Sequence, residues 1–281
     1  QTCALPIFRH RLKTIARYNQ ILRVLVKYGF EDLVQHLEKT NQLTFLRKLI
    51  PKSSRKIAMQ LSKWEKMRLV CEELGPTFIK FGQILSNRPD LIPFDLVLEF
   101  EKLQDHVPPM REKLAKKVIT SELEDEIENL FAWFDPIPFA SASMAQVHKV
   151  TLHSGKRVAL KVQRPGIKEI ILEDLKVMYS LADTLEKRIP SLKSFDPVGL
   201  VRNFEDSILK ELDFINESIN AQRFYNNLIQ DKADDQFALA PKVYKEFTTT
   251  KVLALEFISG IKIDKLEILK EKDIDTKLIA K

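Results

Sequence analysis

Pro138–Lys161, PFASASMAQVHKVTLHSGKRVALK, is the stretch from which the rest of the chain can be read. A loop of small residues, Ala140-Ser141-Ala142-Ser143-Met144-Ala145, lies between two strand-like segments. A turn follows at His153-Ser154-Gly155-Lys156, and a third strand runs from Arg157 to Val162. Side chains alternate faces along a strand, so Val158, Leu160 and Val162 share one face and Ala159 and Lys161 the other. A lysine near an alanine on a strand face, opposite a backbone loop, is what a nucleotide-phosphate site requires.

Glycine is scarce, at seven residues, and none lies between Gly82 and Gly155. That count excludes a glycine-rich phosphate loop from this stretch. The 281 residues are 44% hydrophobic, enough for a sizeable core and one or two domains. Formal net charge is +6 and uneven: up to Lys56 only Glu31, Asp32 and Glu38 oppose a run of lysines and arginines. Such a block suits an anionic membrane surface, or simply a solvated helical face. Nucleic acid is not expected, because the block lacks interleaved aromatics and any known binding-module pattern. Two cysteines without paired spacing argue against a disulfide framework or a thiolate metal site. No apolar run approaches the ~18 residues of a membrane-spanning helix. No secretory signal is evident either, which suits a reducing, cytoplasm-like compartment.

Residues 1–8 are set apart as an expected artefact or disordered lead, since Thr2–Ile7 resembles a translated sequencing adaptor. Apolar residues at helical spacing then predict helices over Arg9–Tyr28 and Ile57–Glu73, one opening at Pro76, and another over Phe94–Leu103. Two more are predicted near Arg111–Thr120 and Glu122–Leu130. From Phe134 the period becomes strand-like. After Arg164-Pro165-Gly166 comes a helix over Ile167–Lys187, then a long one from Pro197 to Ile229. Late strands are predicted near Pro241–Phe247 and Val252–Phe257.

The long helix carries the acids of interest. Asp213, Glu217 and Asn220 are spaced to share one stripe, with Glu211 turned well away from Glu217. It could therefore present carboxylates to two partners, or to solvent alone. Lys80 and Gln83 share a face of the helix after Pro76, and Gly82 between them permits close approach. His148 and His153 lack metal-ligand spacing and read as structural or exposed.

Together these segments resemble the UbiB family of atypical kinases. Val158-Ala159-Leu160-Lys161 matches the V-A-I-K strand of protein kinases. Ala140–Ala145 stands where kinases have G-x-G-x-x-G, and looks like the alanine-rich loop of the UbiB family. Lys80-Phe81-Gly82-Gln83 resembles its KxGQ segment, and Glu211-Leu212-Asp213-Phe214 with Glu217 resembles its ExD segment and helix glutamate.

The resemblance implies an α+β fold: a protein-kinase-like small lobe, an antiparallel sheet with helices, preceded by a family-specific helical extension. The implied division is an extension over 9–131 with the KxGQ segment, a small lobe over 132–263, and the start of the C-terminal lobe over 264–281. Lys161 would contact nucleotide phosphates and pair with Glu217. Loss of either partner, if desolvated, would cost about 3–5 kcal/mol. Lys80 and Gln83 would reach into the site, Lys80 meeting Glu211 and Asp213. ATP or ADP would lie against Ala140, Ser141, Ala142, Ser143, Met144, Ala145, Val147 and Ala159, its adenine against Glu256, Phe257 and Ile258. The catalytic aspartate and the Mg2+ ligands are expected beyond Lys281, so the residues present are expected to be inactive by themselves.

The family resemblance further implies support of ubiquinone synthesis, at the 2-polyprenylphenol hydroxylation step, by an ATPase or a small-molecule or lipid kinase. The alternative is a nucleotide-responsive scaffold organising quinone-biosynthesis enzymes. Implied partners are nucleotide, membrane lipids or isoprenoid-quinone precursors, and other quinone-biosynthesis proteins. The implied location is the cytoplasmic face of a bacterial inner membrane, or the mitochondrion in a eukaryote.

Overall fold

A computed structural model describes residues 4–37, 60–103, 108–230, 239–261, 263 and 265–274. Helices fill most of its first part: α1 (Ala4–Lys27), α2 (Glu31–Leu37), α3 (Lys63–Leu74), α4 (Pro76–Ser86), α5 (Phe94–Phe100), α6 (Glu112–Leu123) and α7 (Ile127–Leu130). The first helix begins at Ala4, ahead of the predicted Arg9, and so takes in part of the lead expected to be disordered. The helix predicted from Ile57 starts only at Lys63, its earliest predicted residues lying outside the described ones. Ser62 sets that start through a capping box, with Glu65 N–H donating to Ser62 Oγ and Ser62 N–H to Glu65 Oε2. Pro76 opens α4, where its missing N–H leaves no helical bond unmade. The next predicted boundary shifts: α6 continues to Leu123 and stops where Glu124 turns left-handed at φ 56°.

Five strands form one antiparallel sheet: β1 (Trp133–Phe134), β2 (Ala140–Ser141), β3 (Ala145–Thr151), β4 (Arg157–Gln163) and β5 (Val252–Glu256). Their order is β1-β3-β4-β5, with β2 also pairing to β3. Val158, Leu160 and Val162 pack on Ile119 of α6 and Phe131 and are fully buried. Lys161 pairs across the ladder with Val147 and Leu253, on the other face. The strand predicted over Pro241–Phe247 is only a bridge, Val243 opposite Leu255, before a 3-10 turn at Lys245–Phe247. Thr248 explains the stop. Its hydroxyl donates to Tyr244 O and accepts from Ala254 N–H, taking the two groups a longer strand would pair.

The helix predicted from Pro197 to Ile229 is two helices, α9 (Pro197–Leu212) and α10 (Phe214–Gln230), preceded by α8 (Ile167–Arg188). Asp213 between them is extended, at φ −100° and ψ 102°. Its carboxylate accepts the Ile215 N–H at 3.0 Å, capping α10, while Phe214 N–H leaves the helix for Thr250 O. Asp213 therefore drops out of the stripe expected to join it to Glu217 and Asn220. The apolar residues on either side of the break differ as well: Phe204, Ile208 and Leu212 are buried, whereas Ile215 and Ile219 are exposed.

The largest core joins α1, α3, α4 and α5 to α8 and α9, through residues such as Ile21, Leu74, Phe78, Ile171, Leu175 and Phe204. Residues 167–212 thus pack on the N-terminal helices as well as leading back to the sheet. Asp174 of α8, 1% exposed, is the polar centre of this core. Its carboxylate accepts from Arg17 Nε at 2.6 Å, Arg17 Nη2 at 3.1 Å and Thr77 Oγ1 at 2.5 Å. Arg17 also donates to Leu74 O, and its guanidinium lies over the Phe78 ring. A buried charge is tolerable only when paired and hydrogen-bonded, and here both conditions hold. Asp174→Ala strands the guanidinium and should lower unfolding free energy by about 3–5 kcal/mol. Urea denaturation checks this, with Asp183→Ala on the solvent side of α8 expected to change it little.

Candidate nucleotide site

Lys161 projects from β4 toward α10, where its Nζ lies 2.7 Å from Glu217 Oε2 and 4.8 Å from the centre of the Phe214 ring. Phe214, with Ala145, Val243 and Leu253, forms a small core that seats the first turn of α10 on the sheet. Glu217 lies one turn further on and faces the lysine for that reason. The two side chains are 29% and 38% exposed, so the pair opens to solvent and the lysine retains donors for an anion.

A second pair lies across α4 and α9: Lys80 Nζ is 2.6 Å from Glu211 Oε1. The expected meeting of Lys80 with both Glu211 and Asp213 is thus limited to Glu211, because Asp213 is spent on capping α10. Gln83 turns elsewhere, its amide nitrogen donating to Leu103 O at 3.1 Å. The close approach at Gly82 is made by a side chain: a Cβ there would stand 2.4 Å from Leu103 Cδ1. Gly82 and Gln83 therefore serve the packing of the segment after α5. Among the described residues no three His, Cys, Asp or Glu side chains cluster to hold a metal ion.

The loop Ala140–Ala145 is closed and internally tied. Ala142 N–H donates to Ala145 O at 2.8 Å, and Ser143, Met144 and Ala145 are buried. None of its residues has positive φ, so it is built from conformations that alanine and serine adopt without strain. Arg164 clamps it from beyond β4. Its Nε donates to Ala142 O, its Nη2 to Ser141 Oγ and Pro108 O, and its backbone N–H to Met144 O. The sequence assigns Arg164 no such role, since contacts spanning some 20 residues leave no local signal.

At the far end of the same face, Ala159 pairs with Lys149 and Leu255. Phe257 stands edge-on to Phe139 at 5.6 Å, with Lys149 and Arg157 over its ring. Glu256 N–H bonds Lys242 O and Phe257 N–H bonds Arg157 O, while Ile258 is exposed.

Beneath the sheet, His148 is wholly buried, not merely structural by default. Gln146 Oε1 accepts the Met110 N–H, which leaves its amide nitrogen to donate to His148 Nε2 at 2.7 Å. His148 is therefore the neutral Nδ1–H tautomer, donating to Asp135 O, with its ring stacked on Phe134. Burial pushes its pKa below the usual 6.5. The unfolded chain then binds the extra proton first, so the stabilisation is complete above about pH 6.5 and is lost as pH falls below it. Melting temperature should decline from pH 7 to 5, and His148→Gln should flatten that decline; equal slopes in the two proteins would refute the assignment.

A small antiparallel sheet with a strand lysine paired to a helix glutamate defines the small lobe of a protein-kinase-like protein. The pattern of the ABC1 atypical kinase-like domain matches residues 102–281. A "Probable protein kinase UbiB" from Pseudomonas fluorescens (strain Pf0-1) is 38% identical over 271 residues, covering 96% of this chain and 50% of its own length. One from Cellvibrio japonicus is 37% identical over 266 residues, 94% of this chain and 46% of its own length. The solved complex of Rv3197 with erythromycin from Mycobacterium tuberculosis aligns with a TM-score of 0.51 at 26% identity, over 81% of this chain and 55% of that one. The chain belongs to the ABC1 atypical kinase-like family. It spans about half the length of the curated relatives it matches.

Proposed function

We propose that this chain forms the nucleotide-binding small lobe and helical extension of a UbiB-type atypical kinase or ATPase that supports ubiquinone synthesis at a membrane. The observation that carries the reading is the Lys161–Glu217 pair, 2.7 Å apart on the solvent-open face of the sheet. Such a pair fixes a cation where nucleotide phosphates lie in kinases. The neighbouring residues fit a nucleotide. Val147 and Ala159 give a smooth strand surface beside the lysine, and Glu256–Ile258 lies at its far end. The nucleotide, when bound, supplies the transferable phosphoryl group. Lys161 would hold its phosphates, and Glu217 would keep the lysine in place. Mg2+ would need carboxylates other than those brought together here, since Glu211, Asp213 and Glu217 have separate partners.

The loop bears on which nucleotide is held. With the Ala142 and Met144 carbonyls bound to Arg164, the loop is stiff, and alanine methyl groups occupy space that a closely approaching phosphate would want. That supports a site tuned between ATP and ADP rather than one built for rapid transfer to protein. The membrane part of the reading is supported by α1, which carries no acidic residue and leaves Leu12 and Ile15 exposed beside Lys13. No described helix is long and apolar enough to cross a membrane. The 2-polyprenylphenol hydroxylation step is the one the activity would serve, with quinone precursors and other quinone-biosynthesis proteins as partners.

Two substitutions test the reading, in a full-length protein carrying these residues. Lys161→Met should abolish nucleotide-induced thermal stabilisation. The pair is a third exposed, so the fold itself should change by about 1 kcal/mol or less, below the 3–5 kcal/mol that a buried pair would cost. Retained nucleotide stabilisation in the variant would contradict the site. Ala142→Gly should relax the loop and alter the ratio of ATP to ADP affinity measured by calorimetry; unchanged affinities for both would remove the loop from nucleotide selection.

A further inference from the structure

The face of α10 opposite the lysine carries a feature that the nucleotide site does not use. Ile215, Ile219, Gln222, Arg223 and Asn226 repeat at helical spacing along it. Glu217 lies about 200° round the helix from Ile215. With Lys245 of the 3-10 turn as its far wall, this face borders an open concavity of about 590 Å³. Small-molecule sites typically span about 300–1,000 Å³.

Its chemistry is one-sided. The floor is aliphatic, with Ile215 36% and Ile219 51% exposed, and large apolar side chains left open beside a concavity mark a binding surface. Among the described residues the polar lining is amide and hydroxyl except for Arg223 and Lys245, and none of the lining residues is a carboxylate. Among the described residues neither cation forms an ion pair. Two cations with no acidic partner among the described residues, above an apolar floor, complement a molecule with an apolar body and one anionic head.

We infer that this cavity binds a small anionic amphiphile, with its chain on Ile215 and Ile219 and its carboxylate or phosphate head on Arg223 and Lys245. Because α10 is seated on the sheet at Phe214 and carries Glu217 on its other face, an occupant bears on the Glu217–Lys161 distance. Ligand and nucleotide would then alter each other's affinity by the same factor. This coupling, unlike the binding itself, rests on the proposed function.

The test is calorimetric titration of a full-length protein carrying these residues with decanoate below its micelle-forming range, with decanol as the neutral control. Saturable one-to-one binding is expected, at least about tenfold tighter for decanoate than for decanol, as a charge-assisted contact provides. Arg223→Glu and Ile219→Asp, both at exposed positions, should each weaken it at least about tenfold without altering the melting curve. Equal affinity for decanol, no saturable binding, or indifference to both variants would overturn the site. So would dimerisation of the free chain that Ile219→Asp abolishes, since the face would then be an interface between copies. A nucleotide titration with and without decanoate separates the two claims. No nucleotide binding in either case counts against the proposed function and leaves the cavity standing. Nucleotide binding unmoved by decanoate overturns the coupling alone.

Discussion

Asp213 leaves helical geometry between two helices, and much of the site's arrangement depends on that one departure. A continuous helix through Glu211 and Glu217 would place both carboxylates on one rigid rod. The break ends α9 with Glu211 facing α4 and restarts α10 with Glu217 facing β4. Asp213 stabilises the break locally, by accepting the Ile215 N–H that a new helix would otherwise leave unpaired. Phe214 stabilises it from the tertiary side, by burying its ring against the sheet. One extended residue thus gives two lysines, Lys80 and Lys161, separate acidic partners.

The helices around this junction are held by a buried charge. Asp174 gathers Arg17 and Thr77, from helices 157 and 97 residues away, into a core that is otherwise aliphatic and aromatic. Hydrophobic burial supplies most of the stabilisation there but is indifferent to register, whereas a desolvated carboxylate tolerates only the packing that satisfies it. The α4 position that brings Lys80 to Glu211 is one outcome. The loop before β3 follows the same logic at smaller scale: without glycine, it adopts conformations open to ordinary residues and is fastened through its carbonyls by Arg164.

Much of this was legible along the chain. The switch from helical to alternating spacing near Phe134 located the sheet, and the alternation in β4 assigned Lys161 to the face away from Val158, Leu160 and Val162. Proline and glycine punctuation at Gly75-Pro76 marked a real helix boundary. These features are local, set by steric and hydrogen-bond preferences that act within a few residues. The reading failed where helical or strand spacing was overridden: at Asp213, which sits inside a run of helical spacing, and at Lys245–Phe247, where one threonine hydroxyl replaced a strand's hydrogen bonds.

The sequence by itself determined the glycine-free loop, the lysine strand and the face on which Lys161 stands, because residue type and spacing are enough to specify strand faces and turns; the kinase-like small lobe was legible through the family resemblance of its motifs. Only the tertiary structure decided that Lys80 meets Glu211 without Asp213, that Gln83 turns to Leu103 instead of the site, and that Arg164 closes the loop. Those contacts join residues tens to more than a hundred positions apart. Their partners are selected by which helices share a core, and that is a property of the packed chain rather than of any segment within it.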